Sequence, residues 1–300
     1  MNKLCILMAT FNGEKFLKQQ MQSILDQSYS KFDLYVNDDG SRDKTLDIIK
    51  SFSIKDNRVH VLNIKDNNNG QLYNFDKLMR YVNNMEYEYI MFSDQDDIWY
   101  KDKILETLRF MKSKENGPTL VYTNYNENNI SGSIKNKYDN FFPTEEHSIL
   151  LFQNWIMGCT VMINNKLLKY SGSIPPEADN HDNWVMLLAL TYGNIFYLDH
   201  VTMLHRLHND NVTNNFKRMN YFKKINGFIQ DVKKGKEFRI KKLKLCKRVL
   251  RVPLKEKNRL IIEFYNCLKM KNKIQRIKLL RELKIKGLNK HETVKLFLMI

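Results

Sequence analysis

Residues 87–99 read YEYIMFSDQDDIW. An apolar run of strand length stops at three carboxylates within four positions, Asp94, Asp96 and Asp97. Carboxylates this close repel one another and are costly to bury, so they either lie in water at a turn or hold a cation. In extended backbone residues i and i+2 point to one side, which would set Asp94 and Asp96 toward one ligand and Gln95 away from it. Oxygen ligands suit Mg2+ or Mn2+, and Mg2+ binds through one or two carboxylates and fills its shell with substrate phosphates. Taken alone, a solvated turn with Asp97 capping a following helix is the plainer reading.

Working outward, the same unit recurs. LCILMA (4–9), FDLYVN (32–37) and RVHVLN (58–63) read as strands before the one at 87–93, and TLVYTN (119–124) as one after it. Between them, apolar residues at helical spacing predict helices over 14–27, 43–52, 70–84 and 102–113. Repeated βα units imply a parallel sheet covered on both faces, with ligands gathering at the carboxyl ends of its strands. Those ends carry Thr10-Phe11-Asn12-Gly13, Asp38-Asp39-Gly40-Ser41, a polar run to Gly70, and Ser93 to Asp97. Four loops thus converge on one rim. DDGS by itself reads as a turn whose Ser41 or Asp43 caps the next helix.

From about residue 125 the alternation loosens. A strand at 159–164, a helix at 181–192 and a β pair at 194–206 remain legible; beyond 215 come helices rich in Lys and Leu/Ile, at 217–234, 236–251, 255–270, 272–286 and 289–299. The boundary is placed there, giving a body over 1–215 and a basic helical region over 216–300. Residues 217–300 hold 27 Lys+Arg against 6 Asp+Glu, whereas residues 1–216 hold 22 against 27. The formal charge of +16 is therefore a basic tail on a mildly acidic body. Its Lys/Arg residues interleave with Ile, Leu and Phe, a pattern for an anionic membrane surface or for a bundle with a basic exterior. It holds no recognisable nucleic-acid-binding motif, and no nucleic acid is expected as a partner. Cys5, Cys159, Cys246 and Cys267 are too far apart for a metal-ligand motif or a disulfide framework, which favours a reducing compartment. No apolar run reaches the ~18 residues of a membrane span, so a soluble or peripheral protein is expected.

MATFNGEKFL, VNDDGSRDKT and FSDQDDIW, in that order and each at a strand's end, resemble the nucleotide-sugar-binding half of the family 2 glycosyltransferases, of GT-A fold. The resemblance covers roughly residues 1–210, and FSDQDDIW is especially similar to the bacterial rhamnosyltransferase-like members. It implies an α/β, Rossmann-like mixed sheet flanked by helices, and an inverting, metal-dependent transfer from a nucleoside-diphosphate sugar. dTDP-rhamnose is the leading donor and UDP-hexoses follow; the acceptor would be a glycan or a lipid-linked glycan of the cell surface. By the same resemblance Ala9, Thr10, Phe11, Asn12 and Gly70 would line the nucleotide pocket and Asp39 would accept from the base. Asp94 would lie near the ribose, and Asp96 would bind the Mn2+ or Mg2+ that bridges the diphosphate. Asp182 in HDNW inherits the general-base role, although a helix N-terminus also favours Asp. In HRLHNDN (205–211), His208 would be a further metal ligand and Arg206 a diphosphate partner, with His205 standing where the family usually has Tyr. Trp155, Gly158 and Trp184 would line the acceptor site or pack in the core. The protein would work in the cytoplasm, peripheral at the inner face of the cell membrane.

Two other readings compete. A sugar-nucleotide pyrophosphorylase would want a Gly- and Arg-rich phosphate loop after the first strand, and ATFNGEKF has one Gly and no Arg. A basic nucleic-acid binder is suggested by the tail, but the acidic rim would repel phosphate without a cation.

Overall fold

The computed structural model describes residues 3–62, 70–128, 134–136, 147–208, 230–252, 258–287 and 289–300. Leu4–Thr10 (β1) is apolar almost throughout because it is central and covered on both faces. Phe32–Asp38 (β2) and Tyr89–Ser93 (β4) flank it in parallel, with Leu4 opposite Phe32 and Tyr89, and Thr10 opposite Asp38. That register sets the carboxyl ends of all three strands side by side. Val59–Leu62 (β3) adds a parallel edge beyond β2.

On the other side of β4 the sheet becomes mixed. Val161–Asn164 (β8) runs antiparallel to β4 and to Thr119–Asn128 (β6); Asn194–Arg206 (β9) lies parallel to β6, and Ile98–Trp99 (β5) closes the edge antiparallel to β9. The order is β3-β2-β1-β4-β8-β6-β9-β5, with Ile134–Asn136 (β7) paired to β6. The β pair expected over 194–206 is instead one thirteen-residue strand. Its pairing with β6 shifts register around Asn124, which lets one strand span the sheet's length and still bend toward β5.

Alternate residues of β1 feed two cores. Leu4, Ile6 and Met8 pack under Leu17–Leu25 (α1), Thr45–Lys55 (α2) and Lys103–Lys114 (α4). Cys5 and Leu7 face the opposite layer, which holds Gln71–Asn83 (α3), Asn165–Ser171 (α5) and His181–Tyr192 (α6). Ten residues of α6 are buried, so this helix is covered on all sides. The rest of the cover comes from the tail helices Gly235–Leu250 (α7), Arg259–Lys269 (α8), Lys273–Glu282 (α9) and Lys290–Met299 (α10), whose Leu245, Val249, Ile261, Phe264, Leu280 and Leu296 belong to the same core. Asn258, Asn272 and Asn289 start the last three helices, each accepting from a backbone N–H one turn in. The domain boundary expected near 215, and residues 217–229 of the helix expected over 217–234, lie outside the described residues. No helix among the described residues is long and apolar enough to cross a membrane.

Candidate active site at the carboxyl ends of the strands

The polar ends of β1, β2 and β4 surround a cavity of about 710 Å³. Its wall brings together Ala9, Thr10, Phe11, Asn12, Asp39, Gly70, Asp94, Asp96, Gly158, Asp182 and His208 from the expected set. At one end, Asp38 organises the turn after β2: its carboxylate accepts from Gly40 N, Ser41 N, Ser41 Oγ and Thr10 Oγ1. Asp39, 5% exposed, faces the cavity and accepts from Gly70 N at 2.8 Å. Gly70 has φ +87°, a conformation that favours glycine and aims its amide at that carboxylate. Asn12, with φ +48°, ties this turn to the first loop, since its N–H donates to Ser41 Oγ and its Oδ1 accepts from Arg42 N.

Gln95 does not point away. Its Oε1 accepts from Phe11 N and its Nε2 donates to Phe11 O, both at 2.9 Å, so the acidic loop is clamped to the loop after β1. A Cβ on Gly13 would lie 2.3 Å from Gln95 Oε1, which is why that position is bare.

On the cavity wall, Asp96 Oδ2 lies 2.8 Å from His208 Nε2. Asp94 Oδ1 accepts from Gln71 Nε2 at 3.1 Å. Burial, then the nearby Asp97 and Asp96 carboxylates, push the Asp94 carboxyl up to about 8. Burial and Asp97 also raise Asp96, against the pull of His208. Both carboxyls are raised first by burial and then by the Asp97 charge, which marks a site short of positive charge, and Asp96 and His208 offer it one oxygen and one nitrogen. A divalent cation fits that donor set.

Asp97 is not a helix cap. It is fully buried and its Oδ1 pairs with His205 Nδ1 at 2.7 Å, because the loop enters β5 rather than a helix and β5 docks on the end of β9. Burial lowers the His205 imidazolium, but the Asp97 hydrogen bond and charge, with Asp94 and Asp96, outweigh it and lift the group to about 9. Arg206 is likewise turned inward, correcting its expected place as a diphosphate partner. Its guanidinium donates to the backbone carbonyls of Asp96, Asp97 and Phe16 and to Gln19, and lies over the Phe16 ring, so it props the loop from behind. The other face of Phe16's surroundings is His208, with ring centroids 4.6 Å apart.

Also on the cavity wall, Asp182 lies in the first turn of α6, where its Oδ2 accepts from Gly158 N at 3.1 Å and its Oδ1 from Asn183 N at 2.6 Å. Burial raises its carboxyl to about 6, partly offset by those two backbone donors. A carboxylate tuned to that value can take a proton near neutral pH. Of the two places open to Trp184, it takes the core: it is 4% exposed, its indole donates to Ser171 O, and it does not line the cavity. Trp155 packs edge-on to Tyr122 and also stands outside that wall. Gln71, Asn74 and His181 line the cavity without having been singled out from sequence. His181, next to Asp182, is stacked on Phe75 at 3.6 Å and burial lowers it to about 3, so it is a neutral ring. Its adjacency to Asp182 was the available signal; Gln71, following Gly70, had a similar one.

The sequence pattern described as Glycosyl transferase family 2 matches residues 5–169. A dTDP-rhamnosyl transferase from Shigella flexneri is 32% identical over 219 residues, covering 68% of this chain and 72% of that protein. Among solved structures, S. aureus TarS 1–349 in complex with UDP-GlcNAc superposes with a TM-score of 0.61 at 17% identity, over 94% of this chain and 80% of that one. A mannosyltransferase from Pyrobaculum calidifontis in complex with GDP-Man and Mn2+ gives 0.54 at 12%, over 94% and 73%. Both structural likenesses bear on the fold.

Proposed function

The chain belongs to glycosyl transferase family 2 and is an enzyme of GT-A fold, and from that premise we propose that it is an inverting transferase using a nucleoside-diphosphate sugar. The observation that carries the reading is that one cavity is lined by Asp39 and Gly70, by Asp96 with His208, and by Asp182 with a raised carboxyl. The nucleoside would lie against Ala9, Thr10, Phe11, Asn12 and Asp39, with the ribose near Asp94. Asp96 and His208 would hold Mn2+ or Mg2+, which supplies the positive charge that stabilises a departing diphosphate.

Asp182 would take the proton of the acceptor hydroxyl as its oxygen bonds to the anomeric carbon. The bond from that carbon to the diphosphate oxygen breaks on the opposite side, and the electron pair leaves with the nucleoside diphosphate. One displacement inverts the anomeric centre. Gly158 N and Asn183 N fix the carboxylate during this step. The likeness to the Shigella protein favours dTDP-rhamnose as donor, with UDP-hexoses next. The acceptor would be a glycan or a lipid-linked glycan, reached at the inner face of the membrane by the basic tail.

A thermal-shift panel of nucleotide sugars with and without Mn2+, followed by a nucleoside-diphosphate release assay, tests this. One donor should raise the melting temperature in a Mn2+-dependent manner, because a ligand that binds the folded state stabilises it by mass action. Asp96→Asn should keep the fold and lose both the Mn2+-dependent shift and the release. If no nucleotide sugar stabilises the wild-type chain, or Asp96→Asn keeps its Mn2+ dependence, the assignment is wrong.

A further inference from the structure

Beneath the cavity, three side chains from separate parts of the chain meet: Asp97 after β4, Cys159 in the short turn Gly158–Thr160, and His205 at the end of β9. One ligand atom from each lies within 4.8 Å of the other two. All three are buried, at 0%, 1% and 4% exposure. Asp97 gives one oxygen to His205; its Oδ2 is also buried and finds no N–H or O–H donor, so the weak donor Cys159 S–H is what the rest of the carboxylate faces. A carboxylate oxygen left this way in the interior is costly and asks for a proton or a cation. The residue beside it, Cys159, is a thiol held protonated by burial and by the Asp97 and Asp94 charges.

We propose that Asp97, Cys159 and His205 form a second cation site, for Zn2+, distinct from the Asp96–His208 pair. One oxygen, one sulfur and one nitrogen donor suit Zn2+, whereas Mg2+ and Mn2+ prefer oxygen. Charge balance is favourable for a buried site. Carboxylate, thiol and imidazolium sum to zero, and so do carboxylate, thiolate, neutral imidazole and a dication; binding releases two protons, one from sulfur and one from nitrogen. No net charge is added to the interior. His205 also borders the cavity, which provides a way in and room for a water as fourth ligand. Lys103, the neighbouring buried cation on α4, donates to Thr202 Oγ1 and lies over Trp99, and its charge acts on Asp97 and Cys159 from there. Zinc here would anchor Asp97, and through the adjoining peptide the Asp96 carboxylate.

The site is read by metal content, whatever reaction the protein performs. Full-length protein, stripped with chelator and dialysed against micromolar Zn2+, should retain one equivalent after gel filtration, measured by elemental analysis. Cys159→Ser should weaken Zn2+ by more than about 100-fold, the upper end of what loss of a mere outer-shell partner costs. Asp96→Asn should retain the zinc. Co2+ in place of Zn2+ should give a thiolate-to-metal absorption in the near ultraviolet that Cys159→Ser lacks. Substoichiometric zinc in folded wild-type protein, equal uptake by Cys159→Ser, or a Co2+ complex without the thiolate band would each overturn the proposal. The wild-type Co2+ spectrum decides the question even if Cys159→Ser does not fold.

Discussion

Asp182 shows how one side chain's surroundings set a testable pH dependence. Its carboxyl is raised to about 6 by burial, so the base form is lost as pH falls through that value. kcat/KM for transfer should therefore rise with pH to a plateau above about 6. Asp182→Asn, nearly isosteric, should bind donor yet turn over at least ~10²-fold more slowly and lose that limb of the profile. The stability sign is opposite. A folded-state value above the unfolded one means the protonated form is the favoured one in the fold, a contribution fully present below about pH 4 and lost as pH rises through about 6. Asp182→Asn should accordingly be relatively more stable against urea at pH 7 than at pH 4, compared with wild type. Asp94, Asp96, Asp182 and His208 all line the cavity; Asp94 and Asp96 were legible from their spacing, Asp182 and His208 only through the family resemblance. Arg206 was not, because its direction is decided by where β9 ends beneath the acidic loop, and a guanidinium there finds backbone carbonyls before it finds solvent.

At the level of elements, β1, β2 and β4 were readable because strands buried on both faces are continuous apolar runs ended by polar loops. β5 and α5 were not. A two-residue strand has no period, and NKLLKYS, seven residues started by the Asn164 cap, looks like the end of the preceding strand. Gln95 lay beyond local reasoning for the same reason: an i, i+2 rule describes one strand, and its partner is the backbone of another loop. That clamp sets the spacing between the loop after β1 and the acidic loop. Gln95→Ala removes two hydrogen bonds of about 0.5–1.5 kcal/mol each. Since 1.4 kcal/mol is tenfold in affinity, the donor KM should rise by roughly 5-fold, and by no more than ~140-fold, with a smaller change in kcat. Steady-state kinetics checks it, and an unchanged KM would mean that the two loops hold their spacing without Gln95.

For the whole molecule, the charge asymmetry was plain from composition, but the tail's attachment was not. Its helices complete the core around α6, so deleting them would expose that helix; a membrane test must keep the full chain. The solvent face of α7 carries Lys236, Lys244 and Lys247. At ~1 kcal/mol per cation near an anionic surface, reversing all three to Glu should lower binding to anionic vesicles by at least roughly 100-fold in co-flotation, with neutral vesicles and high salt showing little binding for either protein. Equal flotation of the two proteins on anionic vesicles would remove the tail from that role. The burial of α6 has a mechanical side. One end of this helix carries Asp182; at the other, Asn258 of the tail donates to Leu190 O and Thr191 O, and Tyr192 donates to Val249 O. Twelve residues make a rod of about 18 Å, gripped along its length by close-packed side chains that transmit strain rather than absorb it. A load applied to the tail would thus be delivered at Asp182, and if the tail docks and Asp182 takes the proton, the leverage between anchorage and chemistry is a single span of helix.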